Sequence, residues 1–336
     1  MNLNILWFVL IAVLYTGFFI LEGFDFGVGI LLPFVGKNDI EKRVVVNTIG
    51  PLWDANEVWL VLAGGATFAA FPQWYATLFS GFYLPLLLVL VALILRGVSF
   101  EFRGKYENAK WRSAWDACTF VGSLLPPLLF GIAFSNILKG VPIDGNMMYT
   151  GGFFNLLNLY ALVGGLTFLG ISILLGALFL NLKTSDIVQK RAKSVASKLW
   201  IPVIVLLGIF LVMTIQATQA TPEILAIILG IVTIVAAFLG YYVFRINRGG
   251  LSFGLLVLAS AGNTATIFAA LFPNVMVSSS NPEWSLTIFN AASSQNTLSI
   301  MSIVILIFLP IVLAYQGWNY WVFRKRITTK VEDLHY

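Results

Sequence analysis

Nine stretches of about twenty residues, nearly free of charge, govern what this chain can fold into. A run of that length is what a helix needs to cross about 30 Å of hydrocarbon. The runs fall near 5–33, 52–72, 76–96, 116–138, 156–182, 200–217, 223–245, 251–272 and 299–323. Their apolar residues do not alternate with polar ones, which excludes a membrane β-barrel. Composition agrees: 59% of the 336 residues are hydrophobic and 10% charged, more apolar surface than a soluble chain has use for. The fold class is an all-α integral membrane protein, a single transmembrane domain of nine transmembrane helices over 1–336.

Orientation follows from Lys and Arg, which collect in cytoplasmic connections. Nineteen of the twenty fall in alternate connections, from Lys37 to Arg43, Arg96 to Arg112, Lys183 to Lys198, Arg245 to Arg248 and Arg324 to Lys330; Lys139 stands alone on the other side. The N-terminus is therefore outside and the C-terminus cytoplasmic. This placement accounts for the net charge of +5 without nucleic acid, and the basic connection 183–198 reads as a partly helical contact for anionic lipid. The first apolar segment lacks a basic leader and a small-residue cleavage site, so it reads as a retained helix.

Internal likeness between Gly64–Pro72 and Asn263–Pro273 suggests two four-helix bundles, 1–140 and 156–272. A ninth helix, 299–323, is peripheral, and 324–336 forms a cytoplasmic tail. Trp7, Trp74, Trp200, Trp318 and Trp321 sit near span ends, where interfacial aromatics belong. Pro126-Pro127 is expected to kink the fourth span.

Carboxylates inside spans are costly and so mark function. Glu22 and Asp25 lie near the inner end of the first span, three residues apart and on one helical face; Asp54 and Glu57 occupy the first turns of the second in the same relation. Asp116 opens the fourth span from the same side, so five acids gather at one membrane surface. Each has an ordinary reading: Asp54 follows Pro51 at a helix start, where an acid is stabilised by free amides, and Glu22 and Asp25 can pair with Lys37, Lys42 or Arg43. Together, acids in low dielectric suit a proton relay opening to the cytoplasm. The Gly23–Gly27 spacing lets a neighbouring helix approach closely and brings Asp25 toward it. Cys118 is the lone cysteine, which excludes a multi-cysteine metal site, and the sole histidine, His335, is next to last, so no histidine pair exists to hold a haem in the membrane.

The motifs Gly23-Phe24-Asp25-Phe26-Gly27-Val28-Gly29, Asn47-Thr48-Ile49-Gly50-Pro51-Leu52-Trp53-Asp54-Ala55-Asn56-Glu57-Val58-Trp59 and Ala291-Ala292-Ser293-Ser294-Gln295-Asn296-Thr297-Leu298 resemble those of subunit II of the cytochrome bd-type quinol oxidases. The resemblance is strong over 1–155, good over 250–325 and confined to hydropathy over 160–250. It implies a multi-pass protein of the bacterial plasma membrane, paired as a heterodimer with a subunit I that holds two b-type haems and one d-type haem. This chain then binds no haem or metal with its own ligands. A small single-helix subunit is a further candidate partner, and quinol is the substrate of the complex.

In the family, the aspartate matching Asp54 lines a cytoplasmic proton route. The resemblance thus assigns Asp54 as the carrier at the subunit boundary, with Asp25, Glu22, Glu57 and Asp116 as further acids and Trp53 and Asn56 as supporting residues. Some relatives carry Gln at the position of Glu57 and His at that of Leu52, and the connection around Gln216 to Pro222 is shorter than in some. The expected function is haem-free support of oxygen reduction to water with proton uptake from the cytoplasm, generating membrane potential without pumping. A purely structural subunit and a proton- or cation-coupled transporter are the rivals.

Overall fold

The structure is a computed structural model that describes residues 2–218 and 224–328. Part of the connection around Gln216 to Pro222 lies outside these residues, as do Lys330 and His335. In chain order the helices are α1 (Leu3–Val35), α2 (Asp39–Ile49), α3 (Trp53–Ala70), α4 (Pro72–Gly81), α5 (Tyr83–Phe102), α6 (Ala109–Lys139), α7 (Leu159–Lys183), α8 (Asp186–Ala217), α9 (Ile224–Arg245), α10 (Gly249–Leu271) and α11 (Gln295–Val322). Two short strands, β1 (Asn274–Met276) and β2 (Leu286–Thr287), pair antiparallel ahead of α11.

Eight of these helices, α1 and α5 to α11, are long and apolar enough to cross a membrane. The second expected span is the 18-residue α3, and it is not among the eight. It ends at Phe71, before Pro72 opens α4, as a ring without an amide donor favours a first helical turn. The third expected span begins later than its hydropathy suggested, at Tyr83, and runs on to Phe102. Helix α8 starts at Asp186, so the basic connection is helical over most of its length.

Local chemistry sets the helix starts. The side chains of Asn38, Asn108, Asn158 and Ser294 each accept from a backbone N–H of the turn that follows, satisfying donors that a first turn leaves free. Pro126 and Pro127 both lie within α6.

Helix α1 is the centre of the molecule, packed against α3, α6, α7 and α10. Its contact with α7 is made backbone to backbone: a Cβ on Gly27 would collide with the Ser172 carbonyl, and one on Gly176 with Gly27 itself. Gly23, by contrast, has room for a Cβ, its nearest neighbour being Leu175 at 3.5 Å. Along α1 the core divides in two. Phe8, Phe18 and Phe19 pack with Phe130, Phe134, Phe168 and Phe268, while Phe24, Val28 and Leu32 pack with Leu175, Phe179 and Val203. Trp7, Trp74 and Trp200 are buried in these cores, whereas Trp318 and Trp321 are exposed. Helix α11 is peripheral, with only Leu298 and Gln316 buried among its residues.

Candidate functional site

Between the two apolar cores, α1 turns Glu22 and Asp25 inward, and both are fully buried. Their partners come from two other helices, and a third braces one of those partners. Arg96 of α5, also fully buried, forms a close ion pair with Glu22 through Nη1 and reaches Glu57 Oε2 of α3 at 3.3 Å. Its guanidinium lies over the rings of Phe26 and Phe100, at 4.9 and 5.4 Å from their centroids, a contact that helps hold a cation away from water. Asn56 Nδ2 donates to Asp25 Oδ2 at 2.7 Å. The Asn56 carbonyl oxygen accepts from Gln316 Nε2 at 2.7 Å and from the Tyr320 hydroxyl at 2.9 Å, both on α11.

Two carboxyls, Glu22 and Glu57, thus share one guanidinium, with the buried Asp25 one turn along α1 from Glu22. With all three ionised the cluster carries a surplus of negative charge that low dielectric penalises, so a group of this kind can take up a proton and return it. Several of its atoms have no partner within the protein: Glu22 Oε2, Asp25 Oδ1, and Arg96 Nε and Nη2. Buried polar atoms are nearly always satisfied, and this concentration of exceptions marks a place for water or a moving proton.

The five predicted acids therefore separate into three settings. Glu22 and Glu57 meet at Arg96, and Asn56 holds Asp25 beside them. Asp116 belongs to a second network nearer the basic face, accepting from Arg103 Nε at 2.6 Å and Lys42 Nζ at 2.9 Å; Asp39 there accepts from Arg103 and Arg112, each at 2.9 Å. Asp54 is exposed, on the α3 face that also shows Val58, Val61 and Phe68. Trp53 packs on Phe100, with ring centroids 5.3 Å apart.

Arg96 itself is a correction. Its place at the end of an apolar run suggested a charge in a cytoplasmic connection, whereas α5 continues past it for six residues and carries it into the core. Gln316 and Tyr320 were missed as well. They lie about 260 positions from Asn56, and nothing in their local sequence marks them.

Fold and site together define a polytopic helical membrane protein with a buried acid–arginine centre close to its basic face. The family model described as cytochrome bd terminal oxidase subunit II matches residues 3–323. Cytochrome bd ubiquinol oxidase subunit 2 of Bacillus subtilis is 43% identical over 331 residues, covering 98% of each chain. Cytochrome bd-I ubiquinol oxidase subunit 2 of Escherichia coli K12 is 36% identical over 374 residues, covering 99% of this chain and 96% of that protein. A chain in the structure of bd oxidase from Geobacillus thermodenitrificans shares the fold, with a TM-score of 0.80 at 16% identity, over 96% of this chain and 99% of that one.

The chain belongs to the cytochrome bd terminal oxidase subunit II family. It is a membrane component of a bacterial respiratory oxidoreductase complex.

Proposed function

We propose that this chain completes a quinol:oxygen oxidoreductase beside a haem-bearing subunit I, and that its buried acids help carry cytoplasmic protons toward the site of oxygen reduction. The observation that supports this most is the burial of Glu22 and Asp25, without a trace of exposure, with a single buried arginine paired to Glu22. Nothing in a purely structural subunit calls for that expense in desolvation.

The proposed topology has nine spans, α3 being the ninth. Its 18 residues give about 27 Å of helix, close to the thickness to be crossed. The N-terminus is outside and the C-terminus cytoplasmic. Two four-helix bundles, 1–140 and 156–272, with a peripheral α11 describe the layout. Asp54, exposed on α3 one turn before Glu57, then faces subunit I and links it to the cluster. Uptake from the cytoplasm combined with proton release from quinol outside builds membrane potential without a pump.

The residues near the cluster do not suit haem ligation. An axial ligand is a neutral or soft donor such as His, Met or Cys, and the buried set is Glu22, Asp25, Asn56 and Arg96. The family resemblance implies that the two b-type haems and the d-type haem lie in subunit I, in keeping with this donor set.

Asp25→Asn provides the test, because the amide keeps an acceptor for Asn56 and removes the titrating group. In the intact complex, quinol-driven oxygen consumption should fall roughly tenfold or more while the haem spectrum stays unchanged. Wild-type turnover in that variant contradicts the reading.

A further inference from the structure

The seam between α5 and α6 carries polar residues at matching spacings. On α5 they are Arg96, Ser99 and Arg103; on α6, which runs the opposite way, Asp116, Thr119 and Ser123. Each set has the i, i+3, i+7 spacing of one helical face, and the two faces meet in three rungs. Arg103 Nε donates to Asp116 at 2.6 Å. The hydroxyls of Ser99 and Thr119 are 2.7 Å apart and buried. At the third level Gly122 brings α6 against Arg96, where a Cβ would stand 2.7 Å from the arginine Cβ. The neighbouring Ser123 hydroxyl is fully buried without a partner and occupies the space that Gly29 leaves open on α1. Gly29 continues the Glu22–Asp25 face, one turn beyond Asp25.

The foot of this ladder opens on the basic surface. A cavity of ≈ 420 Å³ there is lined by Lys37, Asp39, Lys42, Arg103, Arg112 and Asp116, among others. Its floor is Asp116, whose α6 face leads inward to Thr119. The middle rung has a property that a simple interhelical tie does not need. The Ser99 hydroxyl lies 2.6 Å from the Arg96 carbonyl and that of Thr119 3.0 Å from the Trp115 carbonyl, while the two oxygens also face each other. Two hydrogens serve three contacts, so the pair has alternative arrangements that differ only in where the protons lie.

We propose that this seam is a proton-conducting ladder, in which Thr119, Ser99 and Ser123 pass protons from the Asp116 cavity to the Glu22–Asp25 cluster. In each hop a hydroxyl oxygen accepts one proton from the side of the cavity and releases its own toward the cluster, so every rung keeps one proton and resets when its O–H turns. The unpartnered Ser123 Oγ, Arg96 Nε and Nη2, and Glu22 Oε2 supply the two to four polar contacts that hold a bridging water between the last hydroxyl and the acids. The ladder rests on the proton-uptake reading above and adds its entry from the cytoplasm, upstream of Asp54.

Thr119→Val keeps the shape and removes the hydroxyl; Thr119→Ser restores it. The intact oxidase complex should be followed by proton uptake from the cytoplasmic side during a single oxygen turnover, with haem content and thermal midpoint recorded alongside. Uptake should slow roughly tenfold in Thr119→Val and stay near wild type in Thr119→Ser, at unchanged haem content. Ser123→Ala, a smaller perturbation, should slow it in the same sense if Thr119→Val fails to assemble. Wild-type uptake in the hydroxyl-free variants overturns the ladder, even where the thermal midpoint drops. If Asp25→Asn is slow while these variants are normal, the ladder alone falls; if Asp25→Asn is also normal, the proton-uptake reading falls with it.

Discussion

Among single residues, Arg96 bears most on both stability and function. Its charge is fully buried against Glu22, and a buried pair is costly to break because the survivor keeps its charge in low dielectric. Arg96→Met should cost about 3–5 kcal/mol, read as a lower thermal midpoint of the assembled complex. Adding Glu22→Gln should return much of that loss, since the orphaned carboxylate is then gone. No recovery in the double variant means that Arg96 matters through packing on Phe26 and Phe100 rather than through charge.

Glu41, outside the spans at the start of α2, shows the opposite electrostatics. Burial works to raise its pKa, but the Lys37 amide, the Arg191 guanidinium and the Asn38 amide outweigh that and hold it below the ordinary value of 4.5. A lowered carboxyl stabilises the fold above its unfolded pKa and loses that contribution as pH falls through the folded value. Glu41→Gln should therefore lower the thermal midpoint at neutral pH and show a smaller further loss on acidification below about 4.5 than the wild type does. Equal acid sensitivity in both proteins contradicts this.

At the level of elements, the α1–α7 crossing decides whether the acids reach their places. Gly27 and Gly176 touch through their backbones, whereas Gly23 does not touch α7 so closely. Gly27→Ala should therefore destabilise the complex by about 1–3 kcal/mol or more, and Gly23→Ala should be nearly silent in the same thermal measurement. Equal effects at the two positions would mean that the crossing is looser than its geometry.

The apolar runs specified most helices because length and hydropathy act locally. The buried acid pair on α1 was likewise visible, since three-residue spacing fixes a shared face, and Asn56 does meet Asp25; on α3 the same spacing leaves Asp54 exposed while Glu57 turns to Arg96. What could not be read is what depends on the far side of a contact. Arg96 looked like a loop charge because hydropathy does not say where α5 stops. Trp200 gave no sign of a packing partner, yet it is buried beneath Gly240, where a Cβ would stand 2.8 Å from its ring. Gln316 and Tyr320 reach Asn56 only because α11 returns along α3.

For the whole molecule, the proposed proton route needs an outlet. Val61 on α3, Leu90 and Ile94 on α5 and Leu306 on α11 are apolar and exposed, alongside Asp54 on α3. An acid facing lipid alone is disfavoured, which supports the proposal that Asp54 lies at the boundary with a protein partner. Asp54→Asn in the complex should lower oxygen consumption with haem bands intact, and full activity removes Asp54 from the route. The most direct measurement of the central claim is time-resolved proton uptake from the cytoplasmic side by the intact oxidase carrying Asp25→Asn. Uptake slowed roughly tenfold or more, with haem content and spectra unchanged, is the predicted result; uptake at the wild-type rate contradicts a proton role for the buried cluster.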